Sequence, residues 1–401
     1  MNKPRGTNDI LPKDSGKWQF VEEKFREVSK RFNFSEIRTP TFESTELFLR
    51  GVGDTTDIVS KQMYTFNDLA GRSLTLKPEG TAGVCRALIE EKLYAGVMPL
   101  KFFYQTNCFR YEKPQDGRRR EFHQFGVELI GSYNMLSDAV VIKLGKTFFD
   151  ELDIKNIILK INSIGCKKCR PKYYETLKTY FRENESKLCE TCRIRMEKNP
   201  MRILDCKSET CKKIAKGAPI ILDYICEDCK TDFEKLQEYL NAFNIDFIID
   251  PFIVRGLDYY TKTAFEFLIG GMAILGGGRY DELIEELGGP KLSGVGFALG
   301  VERLLLEIPS SAFLIDEDKK YLIIGVGDSG ERKAIELYNK MTSEGKKVLL
   351  DENMRNIKGQ FKYADKIGIT DVVMIGDKEI EKNIFTIKNM KTGEQKEVEK
   401  I

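Results

Sequence analysis

Apolar side chains at Trp18, Val21, Phe25 and Val28 recur at helical spacing and predict an amphipathic helix over residues 17–33. The period then changes. "FSEIRTPTFEST" alternates and predicts a strand, with Pro40 marking its edge or end because proline has no N–H to give a ladder. "SLTLKPEGTAGVCRALIEE" predicts a short strand, a turn at Pro78–Gly80 and a helix from Thr81. "LKFFYQTNCFRYE" and "EFHQFGVELIG" read as two strands, and the charged "KPQDGRRR" between them as their connecting tip, so the three predict an antiparallel hairpin. A helix over 135–152 and a strand in "NIILKINSIG" follow.

After residues 166–235, which read as an inserted, mostly helical subdomain, strand signals return in "FIIDPFIVRGLDYYTKTAFEFLI". "GGGRYDELIEELGG" reads as a glycine-rich turn, and "GVGFALGVERLLLEI" as a glycine-rich strand entering a helix. A polar stretch near 308–319 marks a boundary. Beyond it "YLIIGVG", a helix at 329–344, "KKVLLDE", a helix at 358–367, "DVVMIGD" and "IFTIKNM" alternate, predicting a small α/β domain with a mixed sheet.

A chain of 401 residues can hold two or three domains with full cores. Lys plus Arg is 64 and Asp plus Glu is 62, so the whole chain carries no polyanion-binding signal, although a local basic patch is still compatible with nucleic acid. No apolar run approaches the ~20 residues that span a bilayer. "MNKPRGTNDILPKD" lacks the apolar core of a signal peptide. A cytoplasmic location without membrane association is expected.

Ten cysteines change the picture. Cys85 and Cys108 stand alone and are expected in a core; the other eight crowd into residues 166–229. In a reducing compartment such crowding points to metal before disulfide. Cys166–Cys169 and Cys189–Cys192 are CxxC pairs with 19 residues between them, the spacing of a four-thiolate structural zinc site. Cys206, Cys211, Cys226 and Cys229 form a second group, for a second zinc. The competing reading is reduced cysteines at the surface turns of a helical insert.

The predicted hairpin carries candidate chemistry. "FRYEKPQDGRRREFHQFGVEL" interleaves Arg110, Arg118, Arg119 and Arg120 with Glu112, Asp116, Glu121, Glu128 and four aromatic rings. Guanidinium forks suit phosphates, aromatics suit a stacked base, and carboxylates orient arginines or accept from amines. By itself the segment reads first as a charged hairpin tip in solvent. "VRGLDYYTKTAFEF" puts Arg255, Asp258, Tyr259 and Tyr260 in an apolar region, where unpaired charge is costly, so it is a site or an internal ion pair. "GGGRYDEL" sets Arg279 and Asp281 beside a backbone that something approaches closely. "GVGFALGVERL" places Arg303 early in a helix without the GK[ST] of a P-loop. His123, the sole histidine, is read as structural or supporting.

Taken together these segments resemble the signature set of histidyl-tRNA synthetases, a class II aminoacyl-tRNA synthetase family. "RTPTFESTELF" resembles the first class II motif, "FRYEKPQDGRRREFHQFGVE" the second and "GVGFALGVERLL" the third; "KPRGTNDILP", "LKPEGTAGVCRA" and "RGLDYYTKTAFEF" resemble segments particular to the histidine branch. The resemblance covers nearly the whole chain. It implies an α+β fold: a class II antiparallel sheet flanked by helices over 1–318, with a helical insertion at about 165–245, then an α/β anticodon-binding domain over 319–401. It implies a histidine–tRNA ligase, homodimeric, with ATP and Mg²⁺, L-histidine and tRNA(His) as partners. Arg110, Arg255 and Arg303 resemble the catalytic arginines on the phosphates. Glu112, Arg118 and Arg120 resemble further ATP contacts. Glu79, Gly80, Thr81, Gln124, Glu128, Tyr259 and Tyr260 resemble the pocket for substrate histidine. The insertion holds 17 Lys/Arg against 12 Asp/Glu over residues 166–235, which fits contact with the tRNA acceptor arm or a solvated helical face. Two rival readings are an inactive paralogue, like the regulatory subunit of ATP phosphoribosyltransferase, and a zinc-dependent nucleic-acid-binding protein built on the insert.

Overall fold

The structure, a computed structural model, describes residues 1–52, 56, 58–313 and 319–400. It divides into two compact units, residues 1–313 and 314–401. Residues 314–318 of the expected 308–319 boundary lie outside the described residues.

Unit one runs α1 (Pro12–Arg31), β1 (Ser35–Glu36), β2 (Phe42–Ser44), α2 (Thr45–Val52), β3 (Tyr64–Asn67), β4 (Ser73–Leu76), α3 (Thr81–Glu90), β5 (Leu100–Phe109), β6 (Glu121–Ile130), α4 (Leu136–Glu151) and β7 (Ile158–Ser163). The insertion follows: α5 (Arg170–Glu183), α6 (Glu190–Lys198), α7 (Glu209–Ala215) and α8 (Glu227–Ala242). The chain then returns through β8 (Ile248–Ile249), β9 (Thr261–Ile269), β10 (Met272–Tyr280), α9 (Leu283–Glu286), β11 (Gly294–Gly300) and α10 (Val301–Glu307).

The main sheet has the order β1-β5-β6-β11-β10-β9-β7-β8. From β5 to β7 every pairing is antiparallel, as expected, whereas β1 and β8 add short parallel edges that make the whole sheet mixed. The single strand expected around Pro40 is two pieces. β1 pairs with β5, while β2, beyond Pro40, pairs with β4 in a separate three-stranded sheet. Proline cannot donate to a ladder, so one continuous strand is interrupted there.

Strand alternation decides the two faces of the main sheet. On β6, Phe125, Val127 and Leu129 enter the core, and on β11 Val295, Phe297 and Leu299 do the same. Helices α1 and α4 cover this face. Val21, Phe25 and Val28 of α1 are fully buried, and Phe25 stacks on Phe125 with ring centroids 5.0 Å apart. Each such side chain contributes about 1.5–3 kcal/mol by leaving water, so Phe25→Ala is the single change that would most weaken the seating of α1. The intervening residues of β6 and β11, from Gln124 to Glu128 and from Gly294 to Gly300, point the other way. There the side chains are polar, small or absent, which is how the opposite face keeps room for a cavity.

Unit two contains β12 (Lys320–Gly325), α11 (Gly327–Ser343), β13 (Lys347–Leu350), α12 (Ile357–Lys366), β14 (Asp371–Ile375), α13 (Asp377–Lys382), β15 (Phe385–Asn389) and β16 (Gln395–Val398). Its sheet, β13-β12-β14-β15-β16, is parallel on one side and antiparallel on the other. Ala334, Leu337 and Met341 of α11 pack against Ile323 and Val373 on one face; Ala364 of α12 packs with Leu322, Ile324 and Val372 on the other. Burial of both faces explains the unbroken apolar run of β12. β16 carries no run of apolar residues, and its strand signal is correspondingly weak in the sequence.

Candidate active site

A cavity of about 410 Å³ opens on the polar face of the main sheet. Arg110, Glu112 and Arg118 reach it from the β5–β6 hairpin, Glu79 and Thr81 from the start of α3, Gln124 from β6, Arg255, Tyr259 and Tyr260 from the segment before β9, and Arg303 from α10. Residues separated by more than two hundred positions thus share one space.

Strand glycines lie at and beneath its floor, with Gly276 lining it directly. Gly276 pairs with Ala298 and Ala298 with Gly126; Gly278 pairs with Gly296 and Gly296 with Glu128. A Cβ on Gly276 would overlap the Arg255 guanidinium, one on Gly278 would meet the Tyr260 ring, one on Gly126 the Tyr104 ring, and one on Gly296 the Glu128 carboxylate. These glycines let long side chains lie flat on the sheet. "GGGRY" is therefore interior strand, where a turn was expected, because its missing side chains make room for others across the ladder.

One end of the cavity is cationic. Arg255 Nη1 donates to Glu266 Oε1 at 2.7 Å, its guanidinium carbon sits 5.3 Å from the Tyr260 ring centroid, and its Nε is buried with no hydrogen-bond partner among the described residues. Arg303 Nη1 donates to the carbonyl of Ala273 at 2.8 Å. Burial, and then the like charge of Arg118, pull the Arg303 guanidinium below its ordinary value. Arg118 is held 3.7 Å from Glu112 in a tight turn where Gly117 has φ +67°. Arg110 Nε donates to the carbonyl of Pro78 at 2.8 Å and covers the Phe122 ring. Glu266 and Glu112 offset Arg255 and Arg118, while Arg110 and Arg303 hydrogen-bond to carbonyls, which leaves positive charge for an anion.

The other end is a polar pocket beneath the start of α3. Glu79, just before the N-cap Gly80, accepts from the N–H groups of Thr81 at 2.7 Å and Ala82 at 2.8 Å and so satisfies the first free donors of the helix. Burial nonetheless raises the Glu79 carboxyl above its usual range. Glu128 accepts from Thr81 Oγ1 at 2.7 Å and from the Tyr280 hydroxyl at 2.6 Å, and burial pushes it up to about 8. Gln124 Oε1 accepts from the Gly80 N–H at 3.0 Å. The Tyr259 hydroxyl is buried with no hydrogen-bond partner among the described residues.

Three expected site residues stand apart from the cavity wall. Gly80 is buried behind Gln124, and a Cβ there would overlap Tyr104. Glu128 lies behind Thr81 and Tyr280. Arg120 packs on the Tyr111 ring at 3.8 Å and receives the N-terminal segment through its N–H to the carbonyl of Gly6 at 2.8 Å. Arg279 is also elsewhere: it is fully buried, with Nε donating to Asp138 at 3.2 Å, an internal ion pair.

The sequence model of histidyl-tRNA synthetase matches residues 6–168 and 186–304, and that of an anticodon binding domain matches residues 320–400. The chain belongs to the histidyl-tRNA synthetase family. Family members named histidine–tRNA ligase include one from Caldicellulosiruptor bescii, 51% identical over 405 residues, covering 100% of this chain and 96% of its own. One from Clostridium perfringens is 52% identical over 397 residues, covering 98% and 96%. The crystal structure of apo histidyl-tRNA synthetase from S. aureus superposes with a TM-score of 0.83 at 40% identity, covering 99% of this chain and 97% of that one.

Against that family frame, the eight clustered cysteines fall into two groups that differ from the expected sets. Cys166 and Cys169 meet Cys226 and Cys229, while Cys189 and Cys192 meet Cys206 and Cys211. The expected quartet of Cys166, Cys169, Cys189 and Cys192 is thus split. Helix α5 carries the chain away after the first CxxC, and α8 brings the last CxxC back beside it.

Several cavity residues were not singled out from the sequence. Glu266 shows in "TAFEF" only as a charge between phenylalanines; its partner Arg255 is needed to give it meaning. Asp205 and Glu302 also line the wall, beside Arg119 of the basic hairpin tip already named. Glu302 Oε1 accepts from the His123 main-chain N–H at 3.0 Å and lies 2.9 Å from its Nδ1, which makes His123 part of the support behind the wall.

Proposed function

We infer that the protein is a histidine–tRNA ligase, acting in the cytoplasm as a homodimer. It activates L-histidine with ATP, supplied as its Mg²⁺ complex, and transfers the histidyl group to tRNA(His). The observation that carries this reading is the convergence of Arg110, Arg118, Arg255 and Arg303 on one cavity whose far end is a buried polar pocket. Full-length relatives of the same name support it.

In the first step a carboxylate oxygen of histidine attacks the α-phosphorus, the bond to the bridging oxygen breaks, and pyrophosphate leaves. Arg255 is placed at the attacked phosphorus and substrate carboxylate; Arg110 and Arg303 hold the departing phosphates. Fixed guanidiniums already aimed at developing charge stabilise the transition state without reorganising. Glu112 accepts from the adenine amine and Phe122 underlies the base. In the second step a ribose hydroxyl of the terminal adenosine attacks the carbonyl carbon of the adenylate, and AMP leaves. Glu79, Thr81, Gln124, Tyr259 and Tyr260 receive the histidine, and Glu128, behind them, fixes Thr81. Residues 1–318 serve as the catalytic domain and 319–401 as the anticodon reader. Zinc is the ion suited to the insertion's thiolate groups.

The inactive-paralogue reading is disfavoured because the arginines are all present at the cavity and the anticodon binding domain is matched. Histidine-dependent exchange of pyrophosphate into ATP tests the assignment: exchange is expected with L-histidine alone and largely lost in Arg255→Ala. Strong exchange with a different amino acid, or an unaffected variant, overturns it.

A further inference from the structure

Two short helices of the insertion, α6 and α7, bring little apolar surface of their own. Among the buried residues of α6 are only Cys192 and Met196, and among those of α7 only Cys211 and Ala215. Helices of nine and seven residues are far too short to persist without tertiary support. Two of the four buried side chains of α6 and α7 are cysteines.

Their sulfurs are spaced for a metal. Cys166 lies 3.6 Å from Cys169 and 3.9 Å from Cys226, Cys169 lies 3.7 Å from Cys229, and Cys189 lies 3.9 Å from Cys206. Within each quartet all four sulfurs are within 4.8 Å of one another. A zinc–sulfur bond of about 2.3 Å in a tetrahedron gives sulfur–sulfur edges of about 3.8 Å. Main-chain N–H groups also point at sulfur: Cys226 N to Cys169 Sγ at 3.1 Å, and Cys189 N to Cys211 Sγ at 3.3 Å. Such donors favour thiolate over thiol.

The second quartet flanks a segment that reaches the cavity through Asp205. Between its ligands Cys192 and Cys206 runs a buried turn, Pro200–Ile203. Arg202 Nη1 donates to the carbonyl of Arg255 at 2.8 Å, Asn199 Nδ2 donates to Asp258 at 3.0 Å, and Asp205, next to Cys206, lines the cavity itself. The turn that grips the Arg255 segment is therefore anchored at both ends by this quartet.

We propose that the insertion binds two zinc ions in these nested sets, and that the ion on Cys189, Cys192, Cys206 and Cys211 positions the Arg255 wall of the cavity. This rests on the zinc and adenylation readings above. The first ion, on Cys166, Cys169, Cys226 and Cys229, closes the base of the insertion.

Elemental analysis of the purified full chain is expected to give two zinc ions, and one in either Cys206→Ser or Cys226→Ser. Cobalt exchange is expected to give the visible bands of tetrahedral tetrathiolate sites. Pyrophosphate exchange by Cys206→Ser should drop about tenfold or more, as misplacing an orienting residue does. Wild-type protein stripped by chelator should lose activity in parallel with exposure of the 199–206 backbone to hydrogen exchange, and regain both with zinc, which covers the case in which the variant does not fold. A folded, active chain without metal overturns the proposal entirely. Two zinc ions with unchanged exchange, both in Cys206→Ser and after stripping, overturn the positioning role alone. Two zinc ions in a chain that exchanges nothing with histidine leave the metal sites standing and remove the ligase reading.

Discussion

Arg255 and Glu266 form an ion pair over a bare patch of sheet: Nη1 donates to Oε1 at 2.7 Å, and the strand position across from Glu266 is Gly276. A methyl group on Gly276 would occupy the place of the guanidinium. Gly276→Ala is accordingly expected to lower kcat/KM for pyrophosphate exchange by about 10²-fold through misplacement of Arg255. Circular dichroism should show an unchanged fold. Activity within threefold of wild type would show that Arg255 need not lie flat.

Glu128 supplies a pH dependence. Its carboxyl is raised from the ordinary 4.5 to about 8 by burial, which penalises the charged form. Between those values the folded state binds more protons than the unfolded one, so this group makes stability fall as pH rises from about 4.5 to 8. In Glu128→Gln that component should vanish. Melting temperatures measured across this window are expected to decline less steeply in the variant; parallel curves would show that Glu128 is ionised at an ordinary value.

Arg279 and Asp138 have no exposed side-chain surface, and the guanidinium also donates to the carbonyl of Ser132 at 2.8 Å. Removing one partner strands the other charge in the interior. Arg279→Met should cost about 3–5 kcal/mol in denaturant unfolding. Replacing both residues, as Arg279→Met with Asp138→Leu, should cost less than the sum of the single changes.

His123 is tied to Glu302 by its ring and by its main chain, and its ring meets the edge of Trp18 with centroids 4.5 Å apart. The main-chain link survives His123→Ala. The expected loss is therefore about 1 kcal/mol of stability, with kcat within a few-fold of wild type. A loss of kcat by several orders of magnitude would assign the imidazole to the chemistry itself.

Local features were legible before folding was considered. The hairpin of β5 and β6, the helix from Thr81 and the glycine-rich strand before Arg303 all follow from period, turn residues and caps, which act over a few positions. The break at Pro40 was legible as an edge, although the separation of β2 into another sheet was not, since pairing partners are not written locally.

What the chain determined unaided was which residues alternate, which segments turn and which guanidiniums stand at motif positions, because covalent geometry and side-chain chemistry fix these within a short window. Only the tertiary structure decided that Cys166 and Cys169 group with Cys226 and Cys229, that Glu266 meets Arg255, and that Glu128 sits among buried hydroxyls. Those outcomes depend on which surfaces leave water together across long stretches of chain, and burial is a property of the assembled fold.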